Sequence, residues 1–132
     1  KPIAFENFHV GVINMHPGIL PENRGLDTIK WAIINDLPQG ASVHIIDRNI
    51  DRGQLICKSQ IEIHADDTLV DIQIRVQNKE QELLLKSLEI IENKGVSNFP
   101  KLGVGNYNSS VPEDVESTLM DRFSEYVKKH SS

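Results

Sequence analysis

The sequence predicts an α/β fold built on an open, mixed sheet, and three observations predict it. Short apolar runs rich in branched residues, His9 to Asn14, Gly40 to Asp47 and Gln54 to Ile63, read as strands. Segments with apolar residues three and four apart separate or follow them and read as helices. The link between the second and third strands is too short for a helical crossover, so those two pair antiparallel and the sheet is not purely parallel.

The first strand ends in polar residues and carries Asn14 and His16 at its C-terminal end. Pro17 to Gly25 holds two prolines and two glycines, the composition of a loop with fixed turns. Leu26 to Ile34 has helical spacing and stops before Pro38. The strands Gly40–Asp47 and Gln54–Ile63 follow, with Asp51 in the loop between them. Asp66 or Asp67 is expected to cap a long helix whose apolar positions are Leu69, Ile72, Val76, Leu83, Leu84, Leu88 and Ile91. Its other face reads as a solvated surface of Gln, Lys and Glu, and Gly95 ends it. Val96 to Ser110 is loop-like in composition. A last amphipathic helix starts near Pro112, with Val115, Leu119, Phe123, Tyr126 and Val127 on one face, acids in its first turn and lysines in its last.

The 132 residues suffice for one domain and leave no room for a second. We divide the chain into a catalytic part, residues 1–95, and a C-terminal loop plus helix packing on it, residues 96–132. The chain begins at Lys1 and its polar strand end arrives early, so βα units are expected to be missing from its N-terminal side. Fourteen basic residues against nineteen acidic give a charge of -5 without basic clustering, which argues against nucleic acid as a partner. Cys57 is the single cysteine, so no internal disulfide forms and a cytoplasmic setting is expected. No apolar stretch reaches the roughly 18 residues of a membrane span.

Asn14 and His16 stand two apart on a strand and so share a face. A side-chain amide can hold an oxygen that becomes anionic, and an imidazole can move a proton near neutral pH. Taken alone, such a pair more often marks a capped turn than a catalytic site. A carboxylate is still needed to orient the imidazole. Asp51 suits that role better than Asp47, because Arg52-Gly53 makes a tight turn behind it whereas Asp47 ends a strand. His44 alternates with Val43 and Ile45 and is read as a core residue or one standing behind the site, with a place in the substrate lining as the alternative. Arg24 either meets a substrate anion or braces its own loop. Trp31 reads as packing, His9 and His64 as surface or turn residues, and Cys57 as a small buried hydrophobe. No Cys, His or carboxylate cluster has metal spacing, and no metal is expected.

The string Asn14-Met15-His16-Pro17-Gly18-Ile19-Leu20-Pro21 is followed by Arg24-Gly25, Trp31-Ala32-Ile33, Gly40-Ala41-Ser42-Val43-His44 and Ile50-Asp51-Arg52-Gly53-Gln54-Leu55-Ile56. In order and spacing it resembles the formyltetrahydrofolate-dependent formyltransferases, from about Val10 to Ile91. These include the glycinamide ribonucleotide, methionyl-tRNA and sugar-nucleotide N-formyltransferases. The resemblance implies a Rossmann-like fold of the formyltransferase type and 10-formyltetrahydrofolate as co-substrate. It implies that Asn14 polarises the formyl carbonyl, that His16 transfers protons and that Asp51 orients His16. The segment Asp47, Arg48, Asn49 and Ile50 would pack against the pterin, with Arg24 and His44 as candidates for substrate contact.

The expected reaction is formyl transfer to a primary amine, a small-molecule acceptor. An amino sugar of a nucleotide-sugar is favoured over glycinamide ribonucleotide because the latter enzymes usually read His-Pro-Ser where this chain has His16-Pro17-Gly18. The acidic final helix argues against tRNA. Hydrolysis of formyltetrahydrofolate is an alternative. So is a truncated, inactive interaction module, for which an uncovered sheet edge would favour a homodimer.

Overall fold

The structure, a computed structural model, describes residues 12–47, 50–95, 99–102 and 106–131. Its elements run β1 (Val12–Pro17), β2 (Asn23–Gly25), α1 (Thr28–Ile34), β3 (Gly40–Asp47), β4 (Ile50–Gln60), α2 (Leu69–Lys94), β5 (Asn106–Asn108), α3 (Glu113–Glu116) and α4 (Leu119–His130).

The main sheet has the order β1-β3-β4, and both of its pairings are antiparallel. Parallel pairing occurs in a separate two-stranded sheet, β2 with β5. Both senses expected of a mixed sheet are therefore present, in two sheets. Alternation along β1 and β3 sorts the side chains: Ile13, Met15, Ala41 and Val43 pack with Leu83 of α2. The opposite face carries Asn14, His16 and His44. Ser42 is fully buried on that side, taking a hydrogen bond from the Leu20 amide at 3.0 Å and donating to the Gly18 carbonyl at 2.8 Å. It pins the loop after β1 back onto the sheet.

Several elements depart from the sequence reading. β1 continues through His16 to Pro17, while His9 and its neighbours lie outside the described residues. β4 starts at Ile50 and ends at Gln60, so Asp51 belongs to the strand and not to the preceding loop. β2 and β5 fall inside segments whose composition reads as loop, because three-residue strands paired across most of the chain leave no local periodicity. Gly25 permits that pairing: a Cβ there would lie 2.2 Å from the Asn108 carbonyl oxygen.

Neither Asp66 nor Asp67 caps α2. Thr68 does, in a reciprocal box in which its hydroxyl accepts from the Asp71 amide and the Asp71 carboxylate accepts from the Thr68 amide. Asp67 is instead held by two hydrogen bonds from Arg75, at 2.7 and 2.9 Å, and accepts from the His64 amide. The inner stripe of α2 is Ile72, Val76, Leu83 and Ser87. Leu88, expected inside, is 48% exposed, since each helical step rotates by ~100° and Ser87 already occupies the inward direction. The outer face is not purely polar either, with Val70, Ile74 and Leu85 exposed.

The final helix is two helices. The hydroxyls of Ser117 and Thr118 donate to the carbonyls of Asp114 and Val115 and interrupt the chain between α3 and α4. α4 then buries Leu119, Phe123, Tyr126 and Val127 against Ile33 of α1, Ile61, Ile63, and Ile72 and Val76 of α2. Its basic end reaches Asp36 through Lys129 and His130. Among the described residues no helix is long and apolar enough to cross a membrane.

Candidate functional site

Asn14 pairs directly with His44 across β1 and β3, and His16 pairs with Ser42. Because Asn14 and His16 alternate with the core residues Ile13 and Met15, both face away from α2. They line a cavity of about 340 Å³ with Leu20, Arg24, Gly25, His44, Ile46 and Tyr107. Four residues singled out in the sequence, Asn14, His16, Arg24 and His44, are thus brought together. Asp51 lies at the start of β4, next to β3 in the sheet. Its side chain and those of Asp47 and Ile50 lie outside the described residues, as do Arg48 and Asn49.

The ring of His16 is oriented by a buried residue that the sequence reading passed over. Its Nε2 lies 2.9 Å from the Asn23 carbonyl oxygen. A carbonyl can only accept, so Nε2 carries a proton and the lone pair of the neutral ring sits on Nδ1. Asn23 is itself fixed twice: its amide donates to the Thr28 carbonyl and its side-chain oxygen accepts from Asn108, both at 2.9 Å. Gly18 clears the space above the ring. Its φ is +138°, and a Cβ there would approach the Asn23 carbonyl oxygen to 2.8 Å and His16 Nε2 to 3.3 Å.

Burial disfavours the imidazolium form of His16, and the Arg24 charge adds to the effect. Together these outweigh the hydrogen bond to Asn23 and lower the His16 pKa. Burial, then the charges of His16 and Arg24, push His44 down to about 4. Both rings are therefore neutral at pH 7, and His16 is available as a proton acceptor. The Nδ1 atom of His44 is buried and has no hydrogen-bond partner among the described residues. His44, read as a core or backing residue, sits in the cavity wall beside Asn14. Asn14 is exposed, so its amide can meet a bound oxygen.

Other singled-out residues fall elsewhere. Trp31 is part-buried and donates from Nε1 to the Ser109 carbonyl at 2.6 Å, tying α1 to the segment after β5. Cys57 is half-buried against Leu83 and Ser87. His64 is exposed in a turn. Among the described residues no group of three or more His, Cys, Asp or Glu side chains could hold a metal ion. Tyr107 was missed; its only trace in the sequence is an aromatic residue within an Asn- and Ser-rich stretch.

Residues 2–88 match the model of the formyl transferase family. The methionyl-tRNA formyltransferase of Alkaliphilus oremlandii is 33% identical over 92 residues, covering 69% of this chain and 30% of that protein. The GDP-perosamine N-formyltransferase of Brucella melitensis is 32% identical over 98 residues, covering 74% of this chain and 38% of that protein. The chain thus spans about a third of the length of these relatives. Among solved structures, it resembles the formyltransferase PseJ from Anoxybacillus kamchatkensis, in complex with UDP-4,6-dideoxy-4-formamido-L-AltNAc and tetrahydrofolate. The TM-score is 0.71 at 27% identity, covering 99% of this chain and 70% of that one.

Proposed function

The chain belongs to the formyl transferase family, and from that membership we propose that the whole protein moves a formyl group from 10-formyltetrahydrofolate to the amine of a nucleotide-linked amino sugar. The observation that carries the reading is the convergence of Asn14, a neutral His16 and His44 on one cavity. 10-Formyltetrahydrofolate supplies the activated formyl group when bound. The exposed Asn14 amide, and beside it a buried His44 Nδ1 that has no hydrogen-bond partner among the described residues, fit a polar ligand end.

In this reading the acceptor amine attacks the formyl carbon, and the Asn14 amide donates to the formyl oxygen as it becomes anionic. His16 takes the proton released by the amine and returns it to the departing folate nitrogen, so protons balance over the cycle. Once Nδ1 of His16 has taken that proton, Asp51 accepts a hydrogen bond from it and steadies the imidazolium until the proton is passed on. Much of the acceleration comes from holding donor and acceptor together, since effective molarities reach ~10⁵–10⁸ M.

Three observations support a sugar acceptor. The structure that matches nearly the whole chain was solved with a formamido sugar nucleotide, and a GDP-perosamine N-formyltransferase is among the relatives. Gly18, with its left-handed φ, also stands where the glycinamide ribonucleotide enzymes usually carry serine. A panel of amines assayed for tetrahydrofolate release with the complete protein tests the assignment. Turnover with amino-sugar nucleotides is expected. Activity only with methionyl-tRNA or with glycinamide ribonucleotide would refute the acceptor, and formate release without any amine would point to hydrolysis instead.

A further inference from the structure

Tyr107 shares the cavity with Asn14 and His16, yet the chemistry above does not use it. Its side chain is 75% exposed, an aromatic ring held in water. The backbone beneath it is firmly placed. β5 pairs with β2 so that Tyr107 stands opposite Arg24, the Asn108 carbonyl accepts from the Leu26 amide at 2.8 Å, and the Asn108 side chain donates to Asn23. Asn23 is also the residue whose backbone carbonyl orients His16, so one buried residue links the proton acceptor to the platform that carries the tyrosine.

We infer that Tyr107 is a specificity-determining residue for the acceptor, its ring forming the wall against which the amine-bearing ring packs. This rests on the formyl-transfer reading. A cavity of about 340 Å³ lies at the small end of ligand pockets and has room for one sugar ring beside the formyl group. A deoxy sugar presents an apolar C–H face to an aromatic ring, leaving its polar edge for His16 and Asn14. The Arg24 charge beside the ring favours an acceptor whose sugar carries phosphate.

The test uses the complete protein with UDP- and GDP-linked amino sugars, following both calorimetric acceptor binding and tetrahydrofolate release. For Tyr107→Ala, acceptor affinity and kcat/KM are expected to fall about 5- to 30-fold. The KM for 10-formyltetrahydrofolate and the melting temperature should not move. Tyr107→Phe should stay within about twofold, because the ring face and not the hydroxyl makes the contact. Unchanged acceptor affinity in Tyr107→Ala, alongside normal transfer by the unaltered protein, overturns the Tyr107 assignment and leaves formyl transfer standing. Binding that depends on Tyr107 without transfer refutes the reaction and upholds the wall. Absence of amino-sugar binding by the unaltered protein overturns both.

Discussion

His16 is kept neutral by its surroundings, and the consequence is a shifted pH profile. Burial and the Arg24 charge lower its pKa, so the ring stays unprotonated at pH values where a free histidine would already be half charged. If His16 accepts the proton of the amine, kcat/KM should hold at pH 6.5 and fall only under more acid conditions. An acid limb centred at or above 6.5 would contradict this. His16→Ala, and Asp51→Asn at the carboxylate proposed to orient it, should reduce turnover by about 10²–10⁴-fold while leaving the melting temperature near that of the unaltered protein. His44 makes a separate prediction about stability. Its folded pKa of about 4 lies below its unfolded value near 6.5, so the unfolded chain takes up the proton first as pH falls. Stability should therefore decline between pH 6.5 and 4. At pH 5 this ring accounts for about 1–2 kcal/mol of the loss, allowing for its partial exposure. Urea unfolding at pH 7 and pH 5 checks it: His44→Phe should flatten the difference, and an unaltered slope would assign the acid sensitivity elsewhere.

At the scale of elements, the strands β1 and β3 could be read from the sequence because each alternates between an apolar and a polar face. The same alternation puts Asn14 and His16 on one side of the sheet. The long helix was equally legible, but its start was not: several capable caps stand in a row from Asp66 to Thr68, and only the pairing of Asp67 with Arg75 leaves Thr68 for the box. Thr68→Ala should accordingly cost about 1 kcal/mol of stability, whereas Asp66→Ala, which caps nothing, should change it by less than about 0.5 kcal/mol. Equal costs in denaturant titrations would return the cap to an aspartate. β2 and β5 were illegible for a different reason. Their pairing joins distant residues through backbone geometry and one glycine, which no local pattern records. Gly25→Ala brings a Cβ against the Asn108 carbonyl oxygen at a positive φ, and should separate the two strands. The expected readout is weakened acceptor binding together with a loss of about 1–3 kcal/mol. Binding and stability both unchanged would show that β5 is not held this way.

Over the whole molecule, the cavity lies on one side of a sheet whose other side is closed by α2, and its rear is braced by two apolar clusters of different origin. The smaller joins the sheet to the second half of α2. The larger draws Phe123, Tyr126 and Val127 of α4 together with Ile33 of α1 and Ile72 and Val76 of α2. The sequence displayed each helical stripe but not which stripes meet, since amphipathic periodicity gives a face and not a partner. The meeting is reinforced by polar ties: Tyr126 donates to the Leu37 carbonyl at 2.5 Å, and Trp31 of α1 reaches the Ser109 carbonyl. Because α4 shares its cluster with α1 and with α2, the helix that closes the back of the site's sheet, we expect it to unfold with them and not before them. Phe123→Ala removes a buried ring from the centre of that cluster and should lower stability by about 3–4 kcal/mol. Met120→Ala, on the exposed side of the same helix, should stay within about 0.5 kcal/mol. In urea, helical circular dichroism and Trp31 fluorescence should lose their signals at the same midpoint in both variants, with that midpoint shifted only in Phe123→Ala. A helical signal that melts ahead of Trp31 in the unaltered protein would mean that α4 is an appendage, and that the segment from 96 onward contributes to the site only through β5.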